Sequence, residues 1–374
     1  MYCDDWSDRY LWANVRYEVR KDTGPNFKPK GYLPDYLAEE AANAITINKH
    51  NPFFMYVAFT SMHTPFQAYR PDYDAVNALE RKIGYVAGQP RMTHCEKVYA
   101  AMLMALDRAI GTILTSLQEN GLSENTIVMF TNDNGAPMYM HNLNTPFRGG
   151  KATLFEGGLH VPLLVKWPRL SRQYDHATPP RAPSVDDTNE KSSSSVGDVG
   201  IGFEKLRAGN DMGIVIDSLV GHIDIFPTVL EAAGVPVPYA DSSIVDGKSL
   251  IPLLTAAASG RKSISGTSDG GHVDMFWRSG QYMAYRRGNW KVQSAMRPMK
   301  VWLYNLDEDP AEKMNLAEIP AYRGILEEMV SLMMAENATQ SPPIWPALSE
   351  TPVLIDKLFP GHYVRGDEYI YWSN

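Results

Sequence analysis

Hydrophobic residues recur with helical spacing in two parts of the N-terminal half. Residues 33–48 place four apolar side chains on one helix face: Leu37, Ala41, Ala44 and Ile45. Residues 98–117 repeat the pattern over a longer span, and Asn120-Gly121 follows it as helix-ending residues do. We therefore predict a helix over 33–48 and a long amphipathic helix over 98–117.

Short apolar runs with turn residues on either side alternate with these helices. They cover residues 53–59, 126–131 and 161–167, and their length and composition predict buried strands. Strands that alternate with helices favour an α/β fold, in which helices sandwich a mostly parallel sheet. Ligand sites in such sheets gather where the strands end.

The pattern changes in the second half of the chain. Residues 171–213 are rich in Ser, Pro, Gly and Asp and predict a flexible insertion. Order resumes at 214–216, and a helix follows over 225–233. Farther on, three short strands (281–286, 290–292 and 301–304) and a helix over 318–334 predict a small C-terminal antiparallel sheet with one helix. We expect a catalytic domain over 1–235 and a C-terminal subdomain over 236–374.

Composition narrows the class of protein. Apolar residues make up 44% of the 374 residues, enough for a sizeable core, and the net charge of -8 disfavours a nucleic-acid partner. Cys3 and Cys95 are the only cysteines, so we expect neither a disulfide framework nor a cysteine zinc site. No stretch is predicted to span a membrane, and residues 1–6 do not resemble a signal peptide.

Three polar clusters follow the predicted strands. Asp133 and Asn134 supply hard oxygen ligands that suit calcium or magnesium, although Asp and Asn before Gly135 are also common turn residues. Arg148 and Lys151 flank a pair of glycines and offer positive charge to an oxyanion, or they belong to an exposed basic loop.

His63 ends the first predicted strand and is followed by Thr64 and Pro65. A lone histidine in this position is usually structural, but a loop restrained by proline at the end of a buried strand favours a functional role.

These segments together resemble the sulfatase family. The resemblance covers nearly the whole chain. Within the family, the chain looks most like the arylsulfatases, including the N-acetylgalactosamine-4-sulfatase type. Five blocks carry it in the family's order: 53–67 with His63-Thr64-Pro65, 131–135 with Asn132-Asp133-Asn134-Gly135, 146–162 with Arg148-Gly149-Gly150-Lys151, 222–228 with Asp224, and 303–317 with Asp309-Pro310.

The resemblance implies a sulfatase or alkaline-phosphatase-like fold and a sulfuric ester hydrolase. Asp133 and Asn134 match two calcium ligands of the family, and Lys151 matches the lysine that contacts the sulfate group. His63 matches a histidine beside the ester, and either His63 or Lys151 could be the general acid. The implied substrate is a sulfated small molecule or sulfated carbohydrate. Family members are typically lysosomal, secreted or periplasmic, and this chain itself leaves compartment and oligomeric state open.

Two main features and one lesser one, at His160, depart from the family pattern. The family nucleophile is a formylglycine made from a cysteine or serine in a Cys-x-Pro-Ser-Arg type motif, and neither Cys3 nor Cys95 has that context. Asp4-Asp5 resembles the family's early metal-binding pair, but no apolar strand precedes it, so we interpret it as surface residues. His160 stands where the family usually has arginine. We therefore expect an N-terminally truncated, incomplete sulfatase that binds calcium weakly and does not turn over an aryl sulfate by itself.

Two alternatives remain open. The first is a phosphoester or phosphonate hydrolase of the same superfamily, which would share much of the metal site. The second is a non-catalytic, sulfatase-like pseudoenzyme. The identity of the nucleophile would separate a sulfatase from a phosphoryl-transfer enzyme.

Overall fold

The computed structural model describes most of the chain in eight ranges. They are 31–83, 91–137, 144–170, 213–236, 245–259, 271–342, 350–357 and 363–373, together with the backbone of three two-residue strands near the N-terminus. The chain divides into two compact units, Met1–Val128 with Lys166–Arg169 and Met129–Val165 with Leu170–Asn374. None of the boundaries between these units falls at residue 235, and the functional division predicted there stays a prediction. The predicted insertion at 171–213 lies, except for its last residue, outside the described residues.

Three helices dominate the first unit. In chain order its elements are β1 (Cys3–Asp4), β2 (Val19–Arg20), β3 (Asn26–Phe27), α1 (Leu33–Asn48), β4 (Phe66–Gln67), α2 (Arg70–Ile83) and α3 (His94–Glu119). The bounds of α1 agree with the predicted helix, and α3 extends the predicted one by a turn at its N-terminus. That extra turn begins at a capping box, in which Thr93 Oγ1 accepts the Glu96 N–H and Glu96 Oε2 accepts the Thr93 N–H.

Small side chains let α1 and α3 approach each other closely. The buried residues of the two helices include Ala38, Ala41 and Ile45 of α1 and Val98, Ala101, Ala105 and Ala109 of α3. Arg108 of α3 then joins all three helices, because its guanidinium donates to Asp35 of α1 and to Asp72 of α2. Charge pairing and apolar packing therefore act on the same three helices.

The helix α3 is long and apolar enough to cross a membrane by length and composition alone. The expectation that no segment qualifies was therefore too strict. Arg108 lies at the middle of the helix and is ion-paired with Asp35 and Asp72, and one face is buried against the neighbouring helices. This is the environment of a core helix.

The sequence predicted no disulfide framework, but Cys95 forms a disulfide bond. Cys95, in the first turn of α3, is disulfide-bonded, and no described cysteine is free. One pair of cysteines far apart in sequence has no spacing pattern, which is why the sequence did not signal it. Cys3 lies in β1, which pairs in parallel with β4, and Asp4 stands opposite Gln67. The side chains of Asp4 and Asp5 lie outside the described residues.

The prediction of a buried strand over 53–59 was wrong. These residues form no strand, and Phe54 and Tyr56 are 71% and 83% exposed. Exposure alternates from one residue to the next, so the segment has the two-residue period of a strand but no partner strand among the described residues. Residues 214–216, where we expected order to resume, form neither a helix nor a strand, and Ile214 is 64% exposed.

The second unit holds most of the strands. Its elements are β5 (Val128–Thr131), α4 (Glu156–Leu159), β6 (Leu163–Lys166), α5 (Ile225–Ala232), α6 (Ile251–Ala258), β7 (Asp274–Ser279), β8 (Tyr282–Arg287), β9 (Trp290–Met296), β10 (Met299–Asn305), α7 (Arg323–Thr339), β11 (Glu350–Leu354) and β12 (Tyr369–Ser373). The strands β5 and β6 cross the unit boundary by one residue each and pair with each other. Leu164 of β6 is 62% exposed, so these strands are not the buried ones predicted. A larger parallel sheet stays a prediction.

A four-stranded antiparallel sheet in the order β10-β9-β8-β7 separates two apolar cores. Along β8 the side chains alternate between them: Tyr282 and Ala284 face one core, and Met283 and Tyr285 face the other. The helix α7 covers the second core through Met329 and Met333. The first core is covered by residues of three other segments: Leu154, Phe155, Ile355 and Ile370. The sheet thus packs directly on the segment that follows Lys151.

Candidate active site

The loop that follows β5 presents two oxygen ligands. Asp133 is exposed, and its Oδ1 accepts the Asn134 N–H at 2.9 Å. Asn134 Nδ2 donates to the Gly135 carbonyl at 2.9 Å. Within the described ranges, no donor reaches Asp133 Oδ2 or Asn134 Oδ1. The turn interpretation and the ligand interpretation are therefore compatible, because the turn leaves one hard oxygen free on each residue.

Lys151 lies in a tight turn. Thr153 closes the turn by donating its N–H and its Oγ1 to the Gly150 carbonyl at 2.9 and 2.8 Å. Gly149 has a φ of 73°, and a Cβ there would lie 2.5 Å from Thr153 Oγ1. Glycine is thus required at this position both by its left-handed backbone and by the close approach of Thr153.

Backbone hydrogen bonds join the Asp133 loop to the Lys151 turn. Lys151 donates its N–H to the Ala136 carbonyl at 3.0 Å, and Gly135 donates its N–H to the Gly158 carbonyl at 3.0 Å. A Cβ on Gly135 would lie 1.7 Å from the Gly157 carbonyl oxygen, so no larger residue fits between the two loops. The structure therefore brings Asp133, Asn134 and Lys151 into one loop cluster.

Asn144 reinforces this junction and was missed by the sequence reasoning. Its Oδ1 accepts the Ala136 N–H at 2.8 Å, and its Nδ2 donates to the carbonyls of Ala136 and Gly149 at 2.9 and 3.1 Å. The available signal was its position before Thr145-Pro146, where asparagine commonly starts a turn. Asn144 thus holds the two loops at a fixed separation.

His222 is a second residue whose place was not foreseen. Its Nε2 lies 2.8 Å from the carbonyl oxygen of Asn132, the residue before Asp133. The turn that carries His222 is fixed by the fully buried carboxylate of Asp224, which accepts the N–H groups of Gly221 and Lys248 at 2.8 and 2.7 Å and pairs with His272 Nε2 at 2.7 Å. Asp224 therefore has a structural role, and His222 supports the Asp133 loop.

Arg148 is not available for an oxyanion, contrary to one of the two readings of its loop. Its guanidinium pairs with Asp356 and Glu368 and donates to Tyr304 Oη at 3.1 Å. Burial alone would lower the pKa of Arg148, but hydrogen bonding to Asp356 and its negative charge outweigh this and raise it. Arg148 therefore ties the loop to the segments around β11 and β12, which leaves Lys151 as the cation of the motif.

His63 belongs to the first compact unit. Its N–H donates to the Thr60 carbonyl at 3.1 Å, Met62 has a φ of 72°, and the ring is exposed. His63 Nδ1 lies 2.8 Å from the Thr64 carbonyl oxygen, which can only accept. Nδ1 must therefore carry a proton, and in the neutral ring Nε2 keeps the lone pair. The next residues anchor this loop, since Phe66 is fully buried and Tyr32 Oη donates to the Gln67 carbonyl at 2.9 Å.

His160 occupies the position where the family pattern suggested arginine. Its Nδ1 lies 3.2 Å from Glu156 Oε2, and its ring stacks on Phe147 with 4.6 Å between centroids. Arg286 of β8 places a guanidinium nitrogen 3.8 Å from the same Glu156 oxygen. His160 is therefore accommodated locally, and a cation still faces Glu156.

The described side chains supply only some of the ligands that a calcium ion needs. No group of three or more His, Cys, Asp or Glu side chains that could hold a metal occurs among the described residues. The free oxygens of Asp133 and Asn134 are ligands of the type calcium prefers, and calcium takes about six to eight oxygens. This pair therefore fits as part of such a site and would need further ligands.

Comparison with known proteins identifies the class. The family described as Sulfatase matches residues 8–235, so the chain belongs to the sulfatase family. It is 28% identical over 293 residues to a sulfatase of Formosa agariphila, covering 72% of this chain and 43% of the relative. It is 29% identical over 236 residues to the steryl-sulfatase of Mus musculus, covering 61% of this chain and 28% of the relative. The chain thus spans less than half the length of these relatives.

Solved structures agree on the fold. The crystal structure of Ps i-CgsB in complex with k-i-k-neocarrahexaose matches with a TM-score of 0.60 and 24% identity, over 86% of this chain and 58% of that one. BT4656 in complex with its substrate D-glucosamine-2-N,6-O-disulfate matches with a TM-score of 0.59 and 15% identity, over 84% and 71%. The phosphonate monoester hydrolase of Agrobacterium radiobacter matches with a TM-score of 0.52 and 19% identity, over 83% and 62%.

Proposed function

We propose that this chain contributes the lysine and part of the calcium site of a sulfuric ester hydrolase that acts on a sulfated carbohydrate or a sulfated small molecule. The observation that carries the proposal is the backbone junction between the Asp133 loop and the Lys151 turn. It gathers two free oxygen ligands and one cation within a single loop cluster. Such a combination suits an anionic ester, whose charge must be offset on its non-bridging oxygens.

Each of the four residues has a chemical role in this proposal. Asp133 and Asn134 hold calcium, and Lys151 contacts the sulfate group and stabilises the charge that develops on its oxygens. His63 matches the family histidine that acts on the ester, with Nε2 as the atom that exchanges a proton. Lys151 and His63 both remain candidates for the acid that protonates the leaving oxygen. Sulfatases generally use calcium and formylglycine, and the latter would supply the nucleophile.

The carbohydrate substrate class is supported by the fold neighbours. Two of them were solved with a neocarrahexaose and with a glucosamine disulfate. The phosphonate monoester hydrolase is the neighbour that favours the alternative reaction. The sulfatase reading is preferred because the family match and the curated relatives are sulfatases.

Anion binding by Lys151 tests the proposal on the chain as it is. The rate at which an amine-reactive reagent labels Lys151 is measured by mass spectrometry while inorganic sulfate and calcium are titrated. We expect sulfate to protect Lys151 but not Lys82, an exposed lysine in the last turn of α2. Asp133→Ala should abolish the contribution of calcium to this protection.

The outcome separates the competing functions. Protection of Lys151 by phosphate at much lower concentration than sulfate would favour the phosphoester or phosphonate hydrolase. Equal labelling of Lys151 and Lys82 at all sulfate concentrations would contradict the assignment of Lys151.

A further inference from the structure

Side chains of the C-terminal part accept hydrogen bonds from the backbone that follows the turn carrying Lys151. Leu154 donates its N–H to Tyr282 Oη at 3.0 Å, and Glu156 donates its N–H to Glu312 Oε2 at 2.5 Å. Tyr282 and Glu312 are 2% and 0% exposed. Two backbone groups shortly after Lys151 therefore depend on acceptors that are distant in sequence.

Both acceptors are themselves fixed in a closed network. Glu312 Oε1 accepts from Lys291 Nζ and from Gln293 Nε2, each at 3.0 Å. Tyr282 Oη donates to Gln293 Oε1 at 2.6 Å. Lys291 also pairs with Glu156 Oε1 at 2.8 Å, so the network begins and ends on the segment that follows Lys151. A buried network whose members all have partners is rigid, and it fixes the groups attached to it.

A displacement of this segment would move both the Lys151 turn and the Asp133 loop. On its other side the segment continues to Gly158, whose carbonyl accepts the Gly135 N–H, and Lys151 itself donates to Ala136. Loss of an acceptor at Leu154 or Glu156 would therefore shift Lys151 together with the Asp133 loop. Supporting groups of this kind control a site without touching its ligand.

We propose that Glu312 and Tyr282 are positioning residues for Lys151 and for the Asp133 loop. They act through the backbone of Glu156 and Leu154. This inference rests on the proposed function, because it assigns Glu312 and Tyr282 to holding the proposed sulfate-binding lysine in place.

Tyr282→Phe is the cleanest test because it removes one hydroxyl and keeps the ring. Tyr285→Phe is the matched control: it lies on the same strand, faces the other core, and donates its hydroxyl to Asp274 Oδ2 at 2.9 Å. Glu312→Gln is the second variant. The carboxylate of Glu312 accepts three hydrogen bonds, whereas an amide nitrogen accepts none, so at least one donor loses its partner.

Two readouts are made on each variant: sulfate protection of Lys151 from labelling, and amide hydrogen exchange of residues 149–158. For Tyr282→Phe and Glu312→Gln we expect the half-protecting sulfate concentration to rise at least about tenfold, as for other groups that orient a site. Exchange over 149–158 should accelerate in the same two variants. Tyr285→Phe should leave both readouts at their wild-type values.

Wild-type protection and exchange in Tyr282→Phe and Glu312→Gln would overturn the inference. Equal changes in Tyr285→Phe would overturn it as well, because they would reveal general loosening of the sheet. If sulfate fails to protect Lys151 in the wild-type chain, the proposed function fails, and hydrogen exchange still decides whether Glu312 and Tyr282 hold the turn. If Glu312→Gln does not fold, Tyr282→Phe and its control decide alone.

Discussion

Replacing Lys291 by methionine should destabilise the second unit strongly. The Lys291 side chain is fully buried, and its Nζ lies 2.8 Å from Glu156 and 3.0 Å from Glu312. Methionine keeps much of the volume but leaves two buried carboxylates without their shared cation. Removing one partner of a buried ion pair costs about 3–5 kcal/mol. We expect a loss of that size in the free energy of unfolding at neutral pH, measured in urea by tryptophan fluorescence, to which the buried Trp302 contributes.

The loss should depend on pH in a defined direction. Burial alone would raise the pKa of Glu156, but the charge of Lys291 and hydrogen bonds outweigh it and hold that pKa below its ordinary value. In the wild type the contribution of Glu156 is therefore present above its ordinary pKa and is lost as pH falls. In Lys291→Met burial dominates, the pKa of Glu156 rises, and protonation favours the folded state as pH falls. Burial raises the pKa of Glu312 already in the wild type, so the reversal concerns Glu156.

Lys300→Met is the matched control. Lys300 lies on the same sheet and pairs with Glu368, but its side chain is 33% exposed. A pair of this kind contributes at most about 1 kcal/mol, so the control should lose little at any pH. The reasoning is refuted if Lys291→Met loses no more than Lys300→Met. It is also refuted if the loss in Lys291→Met is the same at about pH 5 and at about pH 8, close to and far above the ordinary pKa of glutamate.

The remaining predictions concern the backbone junction and the Asp224 turn. Gly135→Ala should lower the free energy of unfolding by about 1–3 kcal/mol or more and abolish sulfate protection of Lys151. The reason is that the new Cβ would lie 1.7 Å from the Gly157 carbonyl oxygen. Gly111→Ala, in open space within α3, should instead stabilise the chain by about 0.5–1 kcal/mol, and both are measured by urea unfolding. Asp224→Ala should cost at least about 1–3 kcal/mol, because it leaves buried donors unpaired; an unchanged urea midpoint would contradict its structural role.

Local signals in the sequence predicted the parts of the fold that depend on near neighbours. The helix over 33–48 matches α1 because its apolar period and its proline near the start are local properties. The glycine pair between Arg148 and Lys151 indicated a loop, and Gly149 and Thr153 form a tight turn there. The free oxygens at Asp133 and Asn134 follow from a turn chemistry that the residue types already indicated.

Apolar composition alone did not predict where strands pair. Residues 53–59 have the composition and alternation of a strand. A strand also needs a neighbouring strand to pair with, and the sequence of the segment does not reveal whether one is present. Residues 214–216 are also apolar, and Ile214 and Val215 are 64% and 60% exposed. A short apolar run therefore indicates that a segment needs burial and does not indicate which residues supply it.

Buried charges show the same limit more sharply. The glycine loop could be read as an exposed basic loop or as an oxyanion site. The oxyanion reading was wrong for Arg148, whose partners Asp356 and Glu368 lie 208 and 220 positions away. Glu156 lies in the family block 146–162 with no local sign of its partner, because Lys291 is 135 positions distant. No periodicity links such residues, so only the folded chain reveals them.

These long-range pairs also argue against treating the C-terminal sheet as an appendage of a catalytic domain that ends at 235. A buried carboxylate such as Glu156 needs a partner of opposite charge. Within the described residues, the fully buried Lys291 and the partly exposed Arg286 both face it from the sheet. The same sheet supplies Tyr282, the acceptor for the Leu154 N–H. The segment after Lys151 therefore cannot keep its observed conformation without the sheet. A chain ending near residue 235 should expose residues 149–158 to rapid hydrogen exchange even though it contains Asp133, Asn134 and Lys151, and full protection of that segment would refute this dependence.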